Sequence, residues 1–147
     1  MAIIQNRKAH HNYEILDKFE AGIVLFGYEV KAIRAAHMSL DGAYVLIDNI
    51  GKIQLVGANI KPLQPENVPA TYVETRPREL LLKKKQIDEL KLKTEQVGHT
   101  LIPLSVYNKE GLIKVEIALV KGKRKFDKRE TLKKKDAQRE IDRVFKR

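Results

Sequence analysis

Glu29-Val30-Lys31 is the fragment of this chain that could hydrolyse a phosphodiester. Its carboxylate could hold Mg²⁺, its lysine could assist an attacking water, and Asp17 or Glu20 upstream could supply a second ligand. A Glu-x-Lys triplet is common where 33% of residues are charged, so by itself it marks no active site, and the chain is not expected to be an enzyme. The adjacent His10-His11 could meet phosphate or bases, while His37 and His99 have no partner at metal-ligand spacing. Without cysteine there is no disulfide framework, thiolate metal site or thiol nucleophile. Gly-rich phosphate loops, Ser/His/Asp sets and dinucleotide fingerprints are also missing from the sequence. Neither a metal nor a cofactor is expected.

Charge points instead to binding. Residues 121–147 hold 13 of the 29 Lys/Arg and 5 of the 19 Asp/Glu, a net of +8, which leaves only +2 for residues 1–120. A near-neutral body with a cationic arm suits the phosphates of a nucleic acid, although such a run also serves as a plain solvated face. The amino terminus lacks the apolar run of a secretory signal, and no stretch approaches the roughly 18 apolar residues of a membrane span. A soluble, cytoplasmic protein with no membrane partner is expected.

The elements that would carry these residues are legible in outline. Residues 13–19, Glu20-Ala21-Gly22 and Ile23-Val24-Leu25-Phe26 read as one strand bent near the glycine, or as two. Residues 28–36 space Val30 and Ile33 for a short helix. Tyr44-Val45-Leu46-Ile47 and Ile53-Gln54-Leu55-Val56 flank a turn at Asn49 and Gly51 and predict a hairpin. Pro62, Pro65, Pro69 and Pro77 make residues 61–77 a surface loop. A helix is expected from near Arg78 to a terminating Gly98, its stripe formed by Ile87, Leu90 and Val97. Leu80-Leu81-Leu82 does not obey that stripe. Either one of the three lies at a surface or junction, or a junction buries them from different sides. A second hairpin joins residues 101–107 to 112–120, with Ile113, Val115, Ile117 and Leu119 on one face. Antiparallel strands with one or two helices make a small barrel or sandwich, for which an oligonucleotide/oligosaccharide-binding (OB) barrel is a common RNA-binding solution.

Two parts are therefore expected, a barrel domain over residues 1–120 and a basic C-terminal tail over 121–147. In the tail, Asp127 and Glu130 form an Asp-x-x-Glu cap for a helix over residues 128–145. Its apolar residues are only Leu132, Ala137, Ile141, Val144 and Phe145. Ordering each residue costs about 1–2 kcal/mol of backbone entropy, so the tail is expected to be unfolded when free and helical when bound.

Taken in order, Asn6-Arg7-Lys8-Ala9, Phe19-Glu20-Ala21-Gly22-Ile23, Glu29-Val30-Lys31, Arg76-Pro77-Arg78 with Leu80-Leu81-Leu82, Lys121-Gly122-Lys123 and Asp127-Lys128-Arg129-Glu130 resemble the SsrA-binding (small protein B) family along almost the whole chain. The resemblance implies an OB-fold-like, six-stranded antiparallel β-barrel with flanking α-helices. It implies an adaptor that binds the tRNA-like domain of transfer-messenger RNA (tmRNA, SsrA), standing where an anticodon arm would be, and delivers it to stalled ribosomes for trans-translation. The ribosomal partner would be the 16S rRNA decoding centre and the empty mRNA channel, reached by the tail. The elongation factor Tu complex with aminoacylated tmRNA would be a further partner.

In such proteins an asparagine, a glutamate and a leucine that correspond to Asn6, Glu20 and Leu81 lie on the RNA face. Asn6 offers donor and acceptor to a base edge, Glu20 accepts from amino groups, and Leu81 packs on an unstacked base or sugar. Arg7, Lys8, Lys31, Arg34, Arg76 and Arg78 would add RNA contacts, chiefly to phosphate. Lys121, Gly122, Lys123, Arg124, Phe126, Asp127, Lys128 and Arg129 would form the ribosome-binding tail, with Phe126 stacking on a base or positioning the helix start. His10 and Ala36-His37 depart from the family's usual basic and Gly-Lys residues. A ribosomal or ribosome-assembly protein with a basic extension is the alternative reading.

Overall fold

The computed structural model describes residues 2–122, so Lys123, Arg124, Phe126, Asp127, Lys128, Arg129 and the expected tail helix lie outside the described residues. The strands are β1 (Ala2–Gln5), β2 (Tyr13–Ile23), β3 (Met38–Ser39), β4 (Tyr44–Ile47), β5 (Ile53–Val56), β6 (Asn59–Ile60), β7 (Arg78–Leu81), β8 (His99–Lys109) and β9 (Leu112–Gly122). The helices are α1 (Ala9–Asn12), α2 (Gly27–Arg34) and α3 (Lys84–Thr94), with a 3₁₀ turn at Pro65–Asn67.

All strand pairings are antiparallel, and following them closes a ring: β8 to β4, β5, β7, β2, β9 and back to β8. The expected six-stranded barrel is therefore present. β1 lies along the β8 edge at residues 105–107, while β4 meets that edge at Leu101. β3 and β6 form a separate two-stranded ribbon.

Alternation places Ile113, Val115, Ile117 and Leu119 of β9 inside, packed with Ile53, Leu55, Leu101 and Val106 and with Ile33 of α2. Leu101 to Leu104 are buried in succession because β8 is covered on both faces. Its outer residues Ile102 and Leu104 join Ala118, Val120 and Ala9 of α1 in a second small core. The turn from β8 to β9 is tighter than expected: Glu110 and Gly111 both take positive φ, 51° and 81°, as a two-residue type I′ turn requires.

The β4/β5 hairpin has the expected bounds, α2 falls within one residue of expectation at its start, and residues 61–77 are a loop. Four features differ. Residues 13–23 form one strand whose register shifts between Ile15 and Asp17 and not at Gly22. The expected helix from Arg78 starts only at Lys84, because Arg78–Leu81 is the strand that joins β5 to β2 and without it the barrel would be open. That helix also ends at Thr94, and Gly98, at φ 82°, serves the turn into β8 instead. Finally, β9 continues through Lys121 and Gly122, which pair with Glu14 and Tyr13, so the expected boundary after residue 120 falls inside a strand.

Candidate nucleic-acid interface

Directly opposed residues of paired strands share a face of the sheet, so the register defines the outer surface. Glu20 of β2 faces Glu116 of β9, which faces Ser105 of β8. One step along, Gly22 faces Lys114, Lys114 faces Tyr107, and on the other side Gly22 faces Leu81 of β7. Glu20 and Leu81, separated by 61 positions in sequence, thus lie on one side of neighbouring strands. A Cβ on Gly22 would meet Leu81 Cβ at 3.3 Å, so the glycine lets Leu81 lie close over β2.

Two like charges, Glu20 and Glu116, oppose each other here, an arrangement that costs stability unless cations intervene. The Tyr107 hydroxyl donates to Glu20 Oε2, and Lys109 Nζ lies 3.3 Å from both its oxygens. The hydrogen bond from Tyr107, helped by Lys109 and Lys114, holds the Glu20 carboxyl below its usual range. Burial and the neighbouring Glu20 push the Tyr107 hydroxyl up, so it remains a donor at neutral pH. Glu20 is a charged, oriented acceptor on an exposed face. Tyr107, Lys109 and Lys114 were missed by sequence reading, since their roles depend on the β2/β9/β8 register.

Beside this strip, a groove of about 410 Å³ is lined by Asn6, Arg7, His10, Lys18, Ser105 and Glu116. Asn6 also lines a cleft of about 400 Å³ with Lys8, Asn12, Tyr13 and Tyr44. Its Nδ2 donates to the Pro103 carbonyl at 2.8 Å and its backbone N–H donates to the Leu104 carbonyl, which fixes the side chain at the ridge between the two. Arg7 and Lys8 are exposed. On the far side of Glu20, a cleft of about 230 Å³ lies between Leu81 and Leu112, with Arg34 and Lys114 in its lining. Arg34 Nη2 donates to the Gly111 carbonyl at 3.0 Å, tying α2 to the β8/β9 turn. Lys31 is exposed on α2 and lines none of these three spaces.

Arg78 corrects an expectation. It is fully buried, so it is not a phosphate contact: its Nε and Nη2 donate to Glu29 Oε2 at 3.0 and 2.7 Å, Nη1 donates to the Ala58 carbonyl, and Nη2 also reaches the Glu74 carbonyl. Arg76 is partly exposed, yet Nε and Nη2 both donate to Glu29. Glu29 also accepts from the Phe26 amide at 2.9 Å and the Tyr72 hydroxyl at 3.1 Å. Burial alone would raise its carboxyl, but the hydrogen bonds from Arg76, Phe26 and Arg78 outweigh it and the net shift is downward. Burial and the Glu29 charge push Tyr72 up to about 12. Six donors converge on the two oxygens of Glu29, so the lone pairs that Mg²⁺ would need are occupied, and Glu29 is the anion of a structural ion pair with Arg76 and Arg78 in which Lys31 takes no part.

The face offers oriented acceptors, cations and exposed apolar side chains on strands of a closed barrel, the combination that single-stranded or splayed RNA requires. No helix among the described residues is long and apolar enough to cross a membrane.

The family model described as "SmpB protein" matches residues 3–147. An SsrA-binding protein of Nitrosomonas europaea is 47% identical over 146 residues, covering 99% of this chain and 96% of that relative. That of Shouchella clausii is 49% identical over 144 residues, covering 98% and 91%. That of Elusimicrobium minutum is 50% identical over 142 residues, covering 96% and 88%. A chain in a solved structure described as "tmRNA-SmpB: a journey to the center of the bacterial ribosome" superimposes with a TM-score of 0.69 at 38% identity, covering 94% of this chain and 96% of that one. With a family match over nearly its full length and relatives near 50% identity, this chain belongs to the SmpB protein family.

Proposed function

We propose that this protein is an RNA-binding adaptor that binds the tRNA-like domain of tmRNA and brings it to stalled ribosomes for trans-translation, so that nascent peptides are tagged for degradation. The observation that carries the reading is the convergence of Asn6, Glu20 and Leu81, from three separate strands or strand ends, on adjoining parts of one outer barrel surface. Family membership and the names of its relatives support the choice of RNA. The barrel carries tmRNA recognition, and residues 123–147, with Lys121 and Gly122 at the root, carry the ribosomal role: the tail enters the vacant mRNA channel, forms its helix there and probes the decoding centre. Arg7, Lys8, Lys31 and Arg34 contribute phosphate attraction, and the elongation factor Tu complex with aminoacylated tmRNA is the form in which the assembly reaches the ribosome.

The test uses purified full-length protein and tmRNA. E20A and L81D should each weaken binding by about ten-fold or more, because an oriented acceptor and an apolar base contact are each worth about 1–3 kcal/mol. Both residues are exposed, so thermal melts should be nearly unchanged. Full tmRNA affinity in both variants would remove the proposed face. Recovery of ribosomal RNA without tmRNA enrichment, when the protein is isolated from cells, would favour a ribosomal structural protein.

A further inference from the structure

We propose that Phe26 and Arg76 form a stacking platform for an unpaired base of the bound RNA, extending the RNA face beyond Leu81 to the start of α2. The inference rests on the adaptor reading above.

Phe26 occupies the position before the first residue of α2, where Ser, Thr, Asp or Asn would ordinarily accept a hydrogen bond from the first turn. A phenyl ring offers no such acceptor. The reciprocal half of the cap is present instead, since Glu29 Oε1 accepts from the Phe26 amide at 2.9 Å. The helix start therefore gains nothing from the ring, and the ring is 48% exposed, so the core gains little.

The ring is nevertheless held in place. The Arg76 guanidinium lies over it, 4.1 Å from the centroid, and Tyr28 lies against it at 5.3 Å with the planes tilted by 32°. Tyr28 is braced in turn by an edge-on contact with Tyr72 at 5.2 Å. Arg76 is fixed by Glu29 through Nε and Nη2, and Nη1 reaches the Pro77 carbonyl at 3.4 Å. Three of its five N–H donors are thus turned to the protein, and its charge is paired with Glu29, which argues against the phosphate contact expected from sequence. What this arrangement presents to RNA is flat surface, aromatic and guanidinium, and both kinds of surface stack on bases.

Position along the sheet joins the platform to the rest of the face. The Val24 amide donates to the Glu79 carbonyl at 2.9 Å, continuing the β2/β7 alignment beyond Ile23. Gly22, Val24 and Phe26 follow at intervals of two, and Val24 and Leu81 are 46% and 53% exposed. Of these apolar groups, Leu81 borders the cleft that the cations Arg34 and Lys114 line. A narrow apolar file beside positive charge matches the bases and phosphates of one RNA strand better than the broad contiguous patch of a protein interface.

The experiment measures tmRNA affinity of the full-length protein by filter binding over a salt series, for wild type, F26A, F26W, R76K and the reference variants E20A and K31A. F26A should lose about 5- to 150-fold in affinity, the range of one base stack, without altering the salt slope. F26W should restore binding, and R76K, which keeps the charge and loses the plane, should follow F26A. K31A should lower the slope by about 0.7, the signature of one phosphate contact on a single strand. Thermal melts accompany R76K and the Phe26 variants, because Arg76 donates to Glu29 and the Phe26 ring lies against Arg76.

Unchanged affinity in F26A overturns the platform, and so does a loss that F26W fails to restore. F26A with normal tmRNA affinity but no peptide tagging in a reconstituted reaction would assign the ring to another partner and likewise overturn it. If E20A weakens binding and F26A does not, the platform alone fails. If wild type shows no preference for tmRNA over unrelated RNA, the adaptor reading fails and the platform with it.

Discussion

E29Q should unfold the barrel far more readily than any surface change, and the structure supplies the size of the effect. Glu29 and Arg78 are both fully buried, and Arg78 spends two of its donors on Glu29 Oε2. Glutamine keeps the shape but removes the charge, and its amide donors turn toward the donors of two guanidinium groups. Removing one partner of a buried pair costs about 3–5 kcal/mol because the other charge is left uncompensated. Arg78 retains the carbonyls of Ala58 and Glu74 at 2.8 and 2.9 Å, which sets the expected loss near the lower end of that range. At roughly 3–5 °C per kcal/mol for a domain of this size, Tm should fall by about 10 °C or more.

Urea unfolding followed by circular dichroism should show a lower midpoint with an unchanged slope. Charge as the cause is tested by pH. The Glu29 carboxyl lies below its ordinary value of 4.5 in the folded protein, so its stabilising contribution is complete above that value and is lost as pH falls through the lower folded value. The gap between wild type and E29Q should therefore narrow in acid. A loss below about 1 kcal/mol at pH 7, or a gap that stays constant into acid, would refute the assignment of Glu29 and Arg78 as a structural ion pair.

The remaining predictions concern RNA and the ribosome. Binding of tmRNA should weaken steeply with added salt, through release of counterions from the contacted phosphates, and a flat titration would contradict the basic contacts. Truncation after Gly122, where β9 ends, should leave a protein that melts cooperatively and binds tmRNA but fails to tag nascent chains in a reconstituted rescue reaction. I141P should abolish tagging while preserving tmRNA affinity, since proline in a helix interior costs about 3 kcal/mol, whereas K133A should change little. Equal loss in both would point to charge alone, and normal tagging by I141P would exclude folding of the tail on the ribosome.

Much of this was readable before any coordinates. Two short, mainly apolar runs and a turn at Asn49 and Gly51 delimit β4 and β5 to the residue, because a hairpin is local and its signal lies within thirteen positions. The same holds for α2 and for the hairpin of β8 and β9, whose ends differ from expectation by only a few residues. The concentration of +8 in residues 121–147 is a property of composition alone, and the ordered motifs carry the family. Asn6, Glu20 and Leu81 were singled out by resemblance, and each has a chemical rationale that composition could not rank.

Tertiary structure decided what depends on distant partners. Arg78 to Leu81 carry a helical composition, yet barrel closure requires a strand between β5 and β2, and the gain from pairing two open edges outweighs local propensity. β1 went unseen because its four residues are strand only by virtue of the β8 edge. Arg78 reads as one more surface cation until Glu29, 49 positions away, meets it in the interior. Phe26 reads as the end of an apolar run until Arg76 lies over its ring. Local periodicity encodes elements, whereas burial of charge and continuity of a binding face are set by contacts between residues far apart in the chain, and those exist only once the barrel has closed.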